Sequence, residues 1–157
     1  MNRRTRALAI ATVLVAASPA SGQSADEQEV LATIQRLFEG MRTADTLMVR
    51  FVLAEGARFA MLDARNGPAR VVVQSMDGWV RGIGASNKRW DEQIYDPQVR
   101  VDGALAQAWT PYTFYLDKAV RHCGVNSIEL LKDATGWKVT QISDTQRRDG
   151  CRDVLKK

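Results

Sequence analysis

Two helical patterns come first in this chain and alternating strands come after them, and that order constrains the fold more than any other feature. Val30, Leu31, Ile34, Leu37, Phe38 and Met41 recur at the spacing of one helix face, and Ser24 followed by Glu27 has the form of a capping box at its start. Asp45 is placed to cap a second, shorter helix that carries Leu47, Met48, Phe51 and Val52 on one side and ends near Gly56. Together they predict a helical hairpin. From Ala57 to Asp63 the pattern becomes alternation, with Phe59 and Met61 on one face, and Asn66-Gly67-Pro68 supplies a turn. Ser75 is a cap for a third helical segment holding Trp79, Val80 and Ile83, which Gly78, Gly82 and Gly84 weaken.

From Trp90 onward the chain reads as β-structure: Trp90 to Tyr95, Val99 to Val101, Leu105 to Leu116, Val120 to Lys132 and Trp137 to Thr145. Asp96-Pro97, Asp102-Gly103, Asp117-Lys118 and Asp133-Ala134-Thr135-Gly136 are the turn signals between them. Helices followed by a strand meander predict an α+β domain whose N-terminal helices pack on an antiparallel sheet. No internal repeat, linker or low-complexity tract divides residues 23–157.

Charge bears on compartment rather than on a partner. The formal net charge is +4, but Arg3, Arg4 and Arg6 precede an uncharged run from Ala7 to Ala17 and the small residues Ser18, Pro19, Ala20, Ser21 and Gly22. That is the three-part layout of a secretory signal, and an apolar run this short falls well under the roughly 20 residues of a spanning helix. Residues 1–22 are therefore expected to be removed after Gly22, leaving a nearly neutral periplasmic or secreted domain with no stable membrane anchor. A nucleic-acid partner is not expected: the remaining basic cluster, Arg147, Arg148, Arg152, Lys156 and Lys157, has no interleaved aromatics and reads plainly as a solvated tail. Two cysteines and one histidine cannot form a tetrahedral zinc cage, and no phosphate loop or dinucleotide glycine pattern occurs, so neither metal nor cofactor is expected.

In an exported chain the two cysteines most simply pair with each other. If Lys132 opposes Trp137, Cys123 faces Gln146 and Cys151 lies five residues further, so the tail must fold back, and Asp149-Gly150 is a turn signal in the right place. Closing a loop of about 29 residues is worth about 3.5 kcal/mol in the chain-entropy model. Free thiols and a bridge between two chains are the alternatives.

With the last strands in view, the chain resembles the nuclear transport factor 2-like superfamily, the cone-shaped α+β fold of ketosteroid isomerases, polyketide cyclases and scytalone dehydratases. Within it, the likeness is nearest to the bacterial group named for lumazine binding. Trp109, Tyr112, Phe114 and Tyr115 carry the resemblance, with His122-Cys123-Gly124-Val125, Gly136-Trp137-Lys138-Val139, and Asp144-Thr145 with Arg147 and Arg148. It extends over residues 23–157 in element order, while its specific motifs occupy Trp109 to Cys151. The resemblance implies a strongly curved sheet around a cavity.

The resemblance also implies where catalytic groups would stand. In the isomerases a carboxylate on the first strand abstracts a proton, and a Tyr and a protonated Asp stabilise the oxyanion. Met61 occupies the expected position of the base here, and Asp63 shares its face, so Asp63 is either a base or the residue that opens the following turn. His122 titrates near neutrality and is either a cavity acid or base, or a structural histidine. Asp144 on the neighbouring strand is either its orienting partner or an ion-pair partner of Arg147 or Arg148.

Trp90, Tyr95, Trp109, Tyr112, Phe114 and His122 are the candidate ligand-binding residues, since rings with a polar end suit a flat or amphipathic ligand. Alternation sends either Tyr112 with Phe114 or Tyr115 with Trp109 inward. The leading expectation is a non-catalytic module for a small hydrophobic or aromatic ligand. An isomerase, dehydratase or cyclase using Asp63 or His122 as base is the first alternative, and an accessory protein acting as a homodimer through its outer sheet is the second.

Overall fold

The computed structural model describes residues 24–63, apart from the side chain of Asp63, and residues 68–156; segment 1–22 and the turn residues Asn66 and Gly67 lie outside the described residues. The chain runs through α1 (Ala25–Thr43), α2 (Thr46–Val52), β1 (Leu53–Asp63), β2 (Arg70–Ser75), α3 (Met76–Ala85), β3 (Trp90–Ile94), β4 (Gln98–Asp102), β5 (Leu105–Leu116), β6 (Ala119–Asp133) and β7 (Gly136–Asp144). Among the described residues the strands form one curved seven-stranded sheet in the order β2-β1-β7-β6-β5-β3, with β4 also paired to β5.

Local chemistry sets the helix ends. Ser24 accepts a hydrogen bond from the Glu27 backbone while its own backbone N–H donates to the Glu27 carboxylate, which closes the capping box. Asp45 Oδ1 accepts from the Leu47 and Met48 amides at the start of α2. Gly40 lets the two helices meet: a Cβ there would sit 2.8 Å from Val49 Cγ2. That contact also selects the face α2 buries. Val49 and Val52 point inward, whereas Leu47 and Phe51, expected on the apolar side, are 78% and 57% exposed. Seven residues offer few inward positions, and the Phe51 ring instead carries Lys138 Nζ at 4.3 Å from its centroid.

The α+β order is as expected, and the structure adds two features. Arg70–Ser75, left unassigned by pattern, forms the edge strand β2, whose β-branched Val71-Val72-Val73 run pairs with β1 from Arg58 opposite Ser75 to Asp63 opposite Arg70. The sheet is also mixed, because β1 lies parallel to β7 while every other pairing is antiparallel. Those two strands are distant in sequence, so no tight turn dictates their relative direction.

Alternation along β5 separates the two faces. Ala106 and Ala108 are buried beneath α1 with Ile128 and Leu130 of β6, while Leu105 and Trp109 face outward and are about half exposed. Val30, Ile34 and Leu37 of α1 are fully buried in the same cluster, each contributing about 1.5–3 kcal/mol by burial.

The C-terminal segment keeps its described basic side chains Arg147, Arg148, Arg152 and Lys156 exposed, but its backbone is pinned to the sheet. Cys123 and Cys151 form a disulfide with Cα atoms 5.5 Å apart. The expected partner of Cys123 was Gln146; Arg147 stands there, because an irregularity between Glu129 and Leu130 shifts the β6–β7 register by one residue after the Lys132–Trp137 pair. Beyond the bridge, Thr113 Oγ1 donates to the Arg152 carbonyl at 2.6 Å and the Tyr115 hydroxyl donates to Asp153 at 3.0 Å. The tail covers the outer face of the sheet at this end.

Candidate functional site

Where α1 no longer covers the sheet, the space between Trp79 of α3, β1 and the far ends of β3, β5, β6 and β7 is hollow. A cavity of about 920 Å³ opens there. Its apolar wall comes from Met41, Phe59, Met61, Trp79, Trp90, Phe114 and Leu116. His122 stacks on Phe114, ring centroids 4.9 Å apart, and Trp90 meets the same phenylalanine edge-on at 6.2 Å. The result is a slot lined by ring faces.

Polar groups sit among these rings. Glu92 Oε1 accepts from Asn126 Nδ2 at 2.7 Å, and Asn126 is itself buried. The Tyr112 hydroxyl donates toward Asp144 Oδ2 at 3.2 Å and the Thr145 carbonyl at 3.1 Å, while Gln146 Nε2 donates to the same Asp144 oxygen at 2.8 Å. The other oxygen, Oδ1, is buried and accepts no hydrogen bond among the described residues. Gly124 makes this cluster fit: a Cβ on it would lie 1.7 Å from the Thr145 carbonyl oxygen and 3.1 Å from the Tyr112 ring. Only glycine allows that approach.

Desolvation controls the charge of this cluster. Burial pushes the Glu92 carboxyl up to about 8, with a further push from the Asp144 charge and only partial relief from Asn126. Asp144 is also raised by burial, against the hydrogen bonds from Gln146 and Tyr112. The Tyr112 phenol is raised by burial and then by both carboxylates, so it stays protonated and remains a donor. His122 is lowered by burial and by the charges of Arg121 and Arg148, which favours the neutral imidazole. At neutral pH the cavity therefore holds a largely protonated acid, a second carboxyl and a neutral histidine, which can donate and accept protons.

The sequence candidates divide. Trp90, Phe114, His122 and Asp144 line the cavity, and Tyr112 lies buried behind its wall with the hydroxyl on Asp144. Besides Tyr112, two further expected ligand-binding residues do not line it: Trp109 points to the outer face, because alternation sends Tyr112 and Phe114 inward, and Tyr95, beyond the end of β3, packs beneath the Arg152 guanidinium at 4.9 Å. Asp144 orients neither of its expected partners; Tyr112 and Gln146 hold it, and it bonds neither to His122 nor to Arg147 or Arg148. The Asp63 side chain lies outside the described residues, while Met61 lines the cavity. Glu92 and Asn126 were not singled out, although alternation puts Glu92 on the same face as Trp90 and Asn126 on the same face as Gly124 and Ile128. Among the described residues no group of three or more His, Cys, Asp or Glu side chains is placed to hold a metal ion, and no helix is long and apolar enough to cross a membrane.

No protein-family model and no curated protein sequence matches this chain. Solved structures do. A nuclear transport factor 2-like protein of unknown function from Shewanella baltica aligns with a TM-score of 0.61 at 15% identity, over 78% of this chain and 94% of that one. One with a cystatin-like fold from Novosphingobium aromaticivorans aligns at 0.61 and 13% identity, over 83% and 86%. A dehydratase candidate of the same family from Streptomyces avermitilis aligns at 0.59 and 13% identity, over 77% and 95%. At these identities the likeness shows the nuclear transport factor 2-like fold.

Proposed function

We propose that this nuclear transport factor 2-like domain binds a small, flat or amphipathic organic molecule in the cavity beside β3, β5 and β6. The observation that carries the reading is the ring-lined slot itself: Phe59, Trp79, Trp90, Phe114 and His122 face one space large enough for a drug-sized ligand. Asp144 Oδ1, buried without a donor, is suited to accept from a ligand N–H or O–H. The narrower likeness to the lumazine-binding group would make the ligand a fused bicyclic heterocycle. Export to the periplasm or beyond fits the signal-like leader and the Cys123–Cys151 bridge. Titration of tryptophan fluorescence against a panel of aromatic heterocycles and steroids tests the reading. Saturable changes are expected, and silence across the panel would contradict it.

A second reading has its own observation. Glu92, held near 8 beside Asp144, is an acid whose protonation changes close to working pH, as general acid–base catalysis needs. An isomerase or dehydratase would then use Glu92 and Asp144, where the sequence pointed to Asp63 or His122. Under this reading turnover falls at least about 100-fold in Glu92→Gln; a binding module retains its ligand affinity in that variant and shows no turnover to lose.

A further inference from the structure

The cavity has a second chemical character that its rings do not explain. Four cationic side chains line it, Lys88 after α3, Arg121 on β6, and Arg147 and Arg148 just past β7, and all four are exposed and so ring the opening. None of the four forms an ion pair with an acidic side chain among the described residues. Several cations elsewhere on this molecule are paired: Arg42 with Glu39, Arg50 with Asp77, Arg89 with Asp91, and Lys132 with Asp26 and Glu29. The four come from three separate stretches of chain, and the fold brings them to one rim.

We propose that the natural ligand is a planar organic acid, seated with its apolar body between the rings and its carboxylate, or an equivalent compact oxyanion, at the rim formed by Lys88, Arg121, Arg147 and Arg148. The inference rests on the cavity-binding reading above and adds the charge of the ligand to it. Charge bookkeeping inside the cavity supports it. Glu92 and Asp144 are the acids that line it, and burial together with mutual repulsion keeps Glu92 largely protonated at neutral pH. The four cations therefore face at most about one negative charge. Guanidinium groups supply paired N–H donors that fit a carboxylate, and the low-dielectric walls strengthen the attraction. The disulfide has a part here too. It ties Cys151 to Cys123, whose backbone exchanges two hydrogen bonds with Arg147, and so holds the Arg147–Arg148 side of the rim against β6.

Isothermal titration calorimetry with two matched pairs of probes tests the proposal: 2-naphthoate against 2-naphthamide, and 1-pyrenebutyrate against 1-pyrenebutanol. The acid of each pair is expected to bind about tenfold or more tightly than its neutral partner, with a preference that shrinks as salt rises. In the Arg121→Gln/Arg148→Gln variant the gap between acid and neutral partner should narrow sharply. Both arginines are exposed and unpaired, so the fold is expected to persist, which circular dichroism would check; Lys88→Gln alone should narrow the gap by less. Equal binding of acid and neutral partner would overturn the proposal and leave the cavity reading standing. A preference undiminished in the double variant would overturn it as well, because losing two of the four named cations must weaken an attraction that they supply. Absence of binding by all four probes, together with silence across the heterocycle and steroid panel, would remove the cavity reading and this proposal together.

Discussion

The same strands have a filled end and a hollow end. Near α1, β5 and β6 present Ala106, Ala108, Ile128 and Leu130, and Val30, Ile34 and Leu37 close over them to leave no accessible surface. A few residues along the same faces, the inward side chains become Thr110, Tyr112 and Phe114 on β5 and His122, Gly124 and Asn126 on β6. There the helix no longer covers the sheet and a cavity takes its place. One end minimises apolar surface in water. The other places polar groups where water is scarce, which costs stability wherever they are not fully hydrogen-bonded and is typical of functional sites.

Truncation should separate the two ends most clearly. Ile128→Ala removes a fully buried side chain from the filled end and should cost about 2–5 kcal/mol in urea unfolding. Phe114→Ala removes a larger side chain that faces open space, and should cost no more than about 2 kcal/mol while weakening ligand binding. Equal costs would break the comparison. The double change Cys123→Ser with Cys151→Ser is expected to lower stability by about 2–4 kcal/mol and also to loosen the rim, so that 2-naphthoate binds less tightly.

A further effect should come from pH. Glu92 is raised from 4.5 to about 8 in the folded chain, so the fold binds its proton more tightly than the unfolded chain does. Its contribution is fully present below about 4.5 and is lost as pH rises to about 8. Glu92→Gln mimics the protonated acid and should remove that slope. Its melting temperature is expected to match the parent near pH 4 and to exceed it by about 10 °C or more at pH 9. A difference between variant and parent that stays constant across this window would show that Glu92 is not desolvated.

The same division explains what the sequence could tell. At the filled end, helix spacing and strand alternation are the direct imprint of burial, so Val30 to Met41 and Leu105 to Leu116 fall where their patterns put them. The disulfide followed from having two cysteines and a turn signal, but its facing residue did not, because a bulge leaves no mark in hydrophobic pattern. Strand β2 was missed because Val71 and Val73 are exposed on an edge, where β-propensity acts without burial. At the hollow end, aromatic residues were visible as a group, yet Trp109 and Phe114 differ only in parity along one strand. Glu92 was overlooked because a charged residue in an alternating strand usually faces solvent, and only the tertiary arrangement turns its face inward.

Chance has spread the four tryptophans of this chain over the regions being compared. Trp79 and Trp90 line the cavity, Trp109 stands on the outer face, and Trp137 is buried at the filled end near Lys132. Their indole N–H resonances in a ¹⁵N-labelled sample, followed while 2-naphthoate is added, test the hollow end as a ligand site most directly. The expected result is movement of the Trp79 and Trp90 signals with Trp109 and Trp137 unmoved. Movement of Trp109 with Trp79 and Trp90 silent would contradict the account and place the binding surface on the other side of the sheet.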